Sequence, residues 1–136
     1  MAAFGSVFMP KMALATFDNN QWSESQIVAS DSISLHPGAH VLHYSSTCFE
    51  GLKAFRHEDG SVHVFRMDQN VERFAQSSRL LSLPEVNKEQ LTQMISDIVA
   101  EYAADVPTPP GSMYIRPTHI GTEAAVGKAA APSDSS

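Results

Sequence analysis

Apolar residues Leu91, Met94, Ile95, Ile98, Val99 and Tyr102 stand at i, i+3, i+4, i+7, i+8 and i+11. That spacing is the period of an α-helix with one buried face. Asn87, with Gln90 three residues on, resembles a capping box at the start of this helix. Val71, Phe74, Ala75, Ser78 and Leu81 or Leu83 repeat the helical spacing upstream. Asp68 takes the N-cap position there, and Pro84 ends the helix because it brings no N–H.

Strand patterns occupy most of the rest. Residues 52–55 and 62–65 are strand-like and joined by a polar connection with Asp59 and Gly60, which predicts a hairpin. Residues 13–17 and 21–22 flank Asp18, Asn19 and Asn20, and asparagine tolerates the positive φ of a tight turn, so a second hairpin is expected. Residues 26–35 alternate weakly and read as a strand or an extended loop. His36, Pro37 and Gly38 break the chain. Residues 39–44 are expected to be extended, and 45–50, rich in hydroxyls, a loop or a turn of helix. Residues 107–111 read as a loop and 113–120 as one strand. The order hairpin, hairpin, two helices, strand predicts an α+β fold, a largely antiparallel sheet with helices packed on one face. No internal repeat is visible.

The 136 residues are 43% apolar, enough for one domain with its own core. Residues 1–12 are expected to be a disordered leader, with Met9 and Met12 as alternative starts. Residues 13–121 form the expected domain, and 122–136, rich in Ala, Gly and Ser and without a period, read as the start of a linker cut off mid-stream. The net charge of -6 argues against nucleic acid, and the lack of any Lys/Arg run argues against anionic membrane. No stretch approaches the ~20 apolar residues of a membrane span. The N-terminus lacks the basic region and long apolar core of a secretory signal. The single Cys48 excludes an intrachain disulfide and favours a reducing, cytoplasmic location.

Several residues have candidate chemistry. Arg66 ends a strand before a helix, where its planar fork suits a phosphate; the alternative is a surface arginine paired with an acid such as Glu72. Tyr114 and Arg116 alternate on one side of the last strand, as a carboxylate site requires; the alternative is a half-buried sheet edge with a solvated arginine. His36, His40 and His43 have helical spacing, but Pro37 and Gly38 interrupt it and no acidic partner follows, so no metal is expected. Cys48 reads as a buried structural thiol, since nearby Glu50 would raise its pKa. The segment GTEAAVG lacks the Lys-Ser/Thr ending of a phosphate loop.

Three segments carry a family resemblance: HYSSTCFEGLKAFR from His43, VFRMDQNVERF from Val64, and MYIRP from Met113. They are similar to the branched-chain amino acid aminotransferases, fold-type IV pyridoxal-phosphate enzymes. The FEGLK and YIRP elements are the more specific ones. The VFR element is shared with D-amino-acid aminotransferases and aminodeoxychorismate lyases, which remain alternative readings, as does a stand-alone binding domain without catalysis.

The resemblance implies the small N-terminal domain of such an enzyme. It implies transfer of the amino group of leucine, isoleucine or valine to 2-oxoglutarate through pyridoxal 5'-phosphate, within branched-chain amino acid biosynthesis. It implies that Arg66 holds the cofactor phosphate, and that Tyr44 and Phe49 line a substrate pocket built at a homodimer interface. Tyr114 and Arg116 would contact substrate carboxylates, Arg116 the distal carboxylate of glutamate or 2-oxoglutarate, and Val126 would lie in the interdomain loop region, where a neighbouring subunit can reach the site. In that family a larger second domain supplies the lysine that binds the cofactor covalently. None of Lys11, Lys53, Lys88 and Lys128 matches that position. The chain is therefore expected to be an N-terminal fragment without transferase activity of its own.

Overall fold

The computed structural model describes residues 9–122. The elements run β1 (Lys11–Leu14), β2 (Phe17–Asp18), β3 (Gln21–Trp22), β4 (Gln26–Ala29), α1 (His40–Tyr44), β5 (Thr47–Phe49), β6 (Leu52–Arg56), β7 (Val62–Val64), α2 (Met67–Leu80) and α3 (Lys88–Glu101). A 3-10 turn (Ala103–Asp105), β8 (Met113–Ile115) and β9 (Thr118–Ile120) complete the order. The α+β class and the antiparallel pairing are those expected. The strands are divided among four small sheets, pairing β1 with β4, β2 with β3, and β5 with β9, with a three-stranded β7-β6-β8 unit.

The two long helices follow the hydrophobic period closely. Val71, Phe74, Ala75 and Ser78 are buried on α2, and Ile95 and Val99 on α3. Leu52 and Ala54 of β6 pack against Val71, Ile95 and Val99. Burying each larger apolar side chain contributes roughly 1.5–3 kcal/mol, so this contact fixes the helices on one side of β6. A second cluster joins Cys48 of β5 to Phe74, Ala75, Leu83 and Val86. Leu91 packs on both clusters.

Asn87 caps α3, its side chain accepting from the Gln90 N–H at 3.0 Å. The second half of the expected box is replaced: Gln90 donates its amide to the Ser23 carbonyl at 2.6 Å, tying α3 to the β2–β3 hairpin. Trp22 does the same for the segment after α2, donating to the Glu85 carbonyl at 2.7 Å. The hairpin itself turns through Asn19 and Asn20, both at positive φ, as a two-residue turn between twisted strands requires.

Four local expectations are corrected. Residues 40–44 are helical instead of extended. The Val41 N–H donates to the Gly121 carbonyl, and buried His40 shares a 2.9 Å hydrogen bond with Ser46, so distant partners override weak local preference. Residues 47–49 are a strand, because β9 offers them a ladder. Residues 113–120 are two strands: Arg116 and Pro117 separate β8, which pairs with β6, from β9, which pairs with β5. Finally, Arg66 and not Asp68 occupies the N-cap of α2, with φ 54° and no side-chain capping bond. At the other end α2 stops before Pro84. The Leu83 N–H donates to the Ser78 carbonyl and the Ser82 N–H to the Arg79 carbonyl, a Schellman motif with Ser82 at positive φ.

β1 begins at Lys11, inside the stretch expected to be a leader. Lys11 pairs with Glu101 at 2.8 Å, and its N–H donates to the Tyr102 hydroxyl at 2.9 Å. Between β1, α3 and β9 lies an apolar cleft of about 300 Å³, with Trp22, Ile33, Phe74, Leu91 and Met94 among its walls.

Candidate functional site

The site grows from the alternation along β6. Leu52 and Ala54 face the helices, so Lys53 points to the opposite, open face. Its cross-strand neighbour on β8 is Tyr114. On the other flank the Phe65 N–H donates to the Lys53 carbonyl at 3.1 Å. Exposed Phe65, Lys53 and Tyr114 thus form a row across the open face.

β7 and β8 both run antiparallel to β6, so their C-terminal ends leave the sheet at the same edge. Arg66 follows β7 there and Arg116 follows β8. With β6 between them, the two strands lie about 10 Å apart. The same edge receives residues 49–51, which lead into β6.

At this edge the Arg116 guanidinium carbon lies 4.1 Å from the centroid of the Phe49 ring and 5.8 Å from that of Tyr114. Two aromatic rings therefore border one cation, a favourable contact that leaves guanidinium N–H groups available at its rim. Gly51 makes the arrangement possible: a Cβ there would stand 2.6 Å from the Tyr114 hydroxyl oxygen. The structure brings Phe49, Tyr114 and Arg116 together at this edge.

Glu50 points the other way, into the protein. Its buried carboxylate accepts from Arg73 Nε at 2.6 Å and Nη2 at 2.8 Å. Asn70 adds a bond to the same carboxylate at 3.1 Å and another to the Gly51 carbonyl at 3.0 Å. The hydrogen bonds from Arg73 hold the Glu50 carboxyl below its ordinary range, against the opposing effect of burial. The Glu50 N–H donates to the Pro117 carbonyl at 3.1 Å. The segment 49–51 is thus tied to α2 and to the turn carrying Arg116. This network was missed in the sequence. Its available signal was Asn70 and Arg73, three apart on α2 and therefore on one helix face.

Behind β5 and β9 a second buried set spans three elements. Fully buried Ser78 of α2 stands 3.4 Å from the Cys48 sulfur and 2.8 Å from His119 Nδ1. Burial raises the Cys48 pKa, in line with a structural thiol. Burial lowers that of His119 to about 4, so its ring is neutral at pH 7.

Arg66 is exposed, with its guanidinium carbon 4.9 Å from the ring centroid of Phe65. Glu72, the acid proposed as its alternative partner, instead meets Lys88 at 2.5 Å and Arg79 at 4.0 Å. Tyr44 lies on α1, its ring centroid 4.6 Å from that of His40. Val126 falls outside the described residues. Among the described residues no three His, Cys, Asp or Glu side chains group as a metal site, and no helix is long and apolar enough to cross a membrane.

No protein-family model matches the chain. Individual relatives do. The chain is 38% identical over 126 residues to the cytosolic branched-chain-amino-acid aminotransferase of Rattus norvegicus, covering 91% of this chain and 31% of that protein. It is 39% identical over 126 residues to the mitochondrial branched-chain-amino-acid aminotransferase of Schizosaccharomyces pombe, covering 91% of this chain and 30% of that one. The chain thus spans about a third of the length of the curated relatives it matches. In structure it is similar to the branched-chain aminotransferase of the thermophilic archaeon Thermoproteus uzoniensis with norvaline. The TM-score is 0.66 at 19% identity, over 92% of this chain and 39% of that chain. That likeness shows the fold.

Proposed function

We propose, for a chain homologous over 91% of its own length to about a third of the length of branched-chain-amino-acid aminotransferases, that it is the substrate- and phosphate-binding part of such a transaminase. The parent reaction moves the amino group of leucine, isoleucine or valine to 2-oxoglutarate. The observation that carries this reading is the Arg116 guanidinium over Phe49 and beside Tyr114. One site has to accept an apolar side chain and a carboxylate in turn. Phe49 offers an apolar wall, while Arg116 and Tyr114 offer donors at its rim. Tyr44, half-exposed on α1, is proposed to extend the apolar wall.

Pyridoxal 5'-phosphate, when bound, supplies the electron sink at the substrate Cα. The residues present fit its phosphate. Arg66 brings a guanidinium to the start of α2, where the first-turn N–H groups carry no side-chain cap and the helix dipole favours an anion. Asp68 in the same turn works against a second negative charge and limits the affinity. Arg66 is proposed to bind the phosphate, and Arg116 with Tyr114 to orient the substrate carboxylate.

The exposed rings of Phe49 and Phe65 favour a covering surface, in keeping with a homodimeric parent enzyme. Val126 is proposed to approach the site from the interdomain region. A cytoplasmic location is proposed: the single, buried Cys48 suits a reducing compartment. Amino transfer is assigned to the parent protein. The 136-residue chain by itself is expected to bind ligands without transferring.

Nuclear magnetic resonance titration of the chain with 2-oxoglutarate and with 4-methylvalerate tests the reading. The expected result is saturable perturbation at Arg116 and Tyr114 by 2-oxoglutarate, weakened about tenfold or more in Arg116→Met. Equal binding by Arg116→Met would remove the carboxylate role.

A further inference from the structure

We infer that Glu50, held by Arg73 and Asn70, is a positioning residue that sets the selectivity of this site for a dicarboxylate. The inference rests on the reading of Arg116 as a carboxylate donor and extends it to three residues that touch no ligand.

Phe49 and Gly51 flank Glu50, and each supports one wall of the Arg116 site. The Phe49 ring lies under the guanidinium at 4.1 Å. Gly51 leaves the space in which the Tyr114 hydroxyl sits. Phe49 is 56% exposed and Tyr114 38%, so surrounding packing alone does not fix either ring. What fixes the segment is Glu50. Its side chain is anchored to α2 by three hydrogen bonds, its N–H by the Pro117 carbonyl, and the next carbonyl by Asn70. The two Arg73 bonds form a fork-to-fork pair, which fixes direction as well as distance. The anchor reaches both strands of the site, because Pro117 directly follows Arg116.

An arginine held against a ring meets a carboxylate without first losing rotamer freedom, and that saving favours the ligand that uses the arginine. A dicarboxylate such as 2-oxoglutarate uses it. An apolar monocarboxylate such as 4-methylvalerate has no second carboxylate to offer Arg116 and lays its alkyl end against the Phe49 wall instead. Loosening the anchor should therefore weaken the first ligand more than the second.

The test uses the full 136-residue chain with Arg73→Met, Arg73→Lys and Glu50→Gln, alongside Phe49→Leu as the reference for a lost ring. The first readout needs no ligand: the ring-current shift of the Arg116 Nε–H proton. It is expected to move toward the Phe49→Leu value in Arg73→Met and to be partly restored in Arg73→Lys. The second readout is affinity, with 2-oxoglutarate expected to weaken about tenfold and 4-methylvalerate less than about threefold. If Arg73→Met does not fold, Glu50→Gln, which keeps a hydrogen-bonding side chain at the same place, carries the test. An unchanged Arg116 shift in folded Arg73→Met or Glu50→Gln overturns the inference. So does an equal loss for both ligands. A shift that moves in a chain that binds no 2-oxoglutarate keeps the anchor of Arg116 and refutes both its carboxylate role and the selectivity built on it.

Discussion

The Tyr114 hydroxyl oxygen lies 2.6 Å from the point at which a Cβ on Gly51 would stand. Real Cβ atoms do not approach so closely, so one side must move. Gly51 precedes β6, where Leu52 is locked into the core, whereas the atom in its way is the far end of the exposed Tyr114 side chain. Gly51→Ala is therefore expected to displace the Tyr114 ring and leave the fold intact. Titration with 2-oxoglutarate should show weakening of several-fold, with a melting temperature within a few degrees of the parent chain. A variant that binds normally would detach Tyr114 from the site.

Ser78 connects three elements through one hydroxyl, touching Cys48 of β5 and His119 of β9 from α2. Ser78→Ala removes both bonds at a fully buried position. The expected loss is about 1–3 kcal/mol in urea denaturation, with no change in the slope of the transition.

His119 sets an acid limit. Its folded pKa is lowered from 6.5 to about 4 by burial, so between these values the unfolded chain takes up a proton that the folded chain refuses. Stability should be level above pH 6.5 and fall as the pH drops toward 4, by roughly 3 kcal/mol in total. The Glu50 carboxyl, whose pKa is lowered chiefly by the Arg73 hydrogen bond, acts lower. Its contribution is present above the ordinary carboxylate pKa and is lost as the pH falls through the depressed folded value. Urea melts from about pH 8 to about pH 3 would separate the two, since His119→Gln should flatten the upper window and leave the lower one.

Asn87→Ala should cost about 1 kcal/mol, because the side chain accepts the Gln90 N–H that the helix cannot otherwise satisfy. Loss of amide protection confined to the first turn of α3 would identify the cap as the cause.

Elements whose information is local were legible in the sequence. The α3 stripe and the β6–β7 hairpin needed only a period and a turn, and Asn19 and Asn20 announced theirs. Elements defined by a remote partner were not. Residues 40–44 are helical because Gly121 accepts from Val41 and Ser46 meets His40. The 113–120 run reads as one strand until Pro117, which has no N–H to give, is seen dividing partners between β6 and β5. The site divides the same way. Phe49, Tyr114 and Arg116 were visible in short motifs. The Glu50–Arg73 pair lies 23 residues apart in sequence and shows itself only in three dimensions. For Arg66, the strand-to-helix position was legible, but its left-handed backbone was not, since nothing local distinguishes it from Asp68 as a cap.

The break at Arg116 and Pro117 has a mechanical consequence. β8 is bonded into the three-stranded sheet and β9 into the β5 pair, so the turn between them is a joint clamped at both ends by separate bodies. A force on the Arg116 side chain is resisted by both sheets at once, and neither can yield without disturbing the other. Any sliding of one sheet past the other would therefore be transmitted to the turn that carries Arg116.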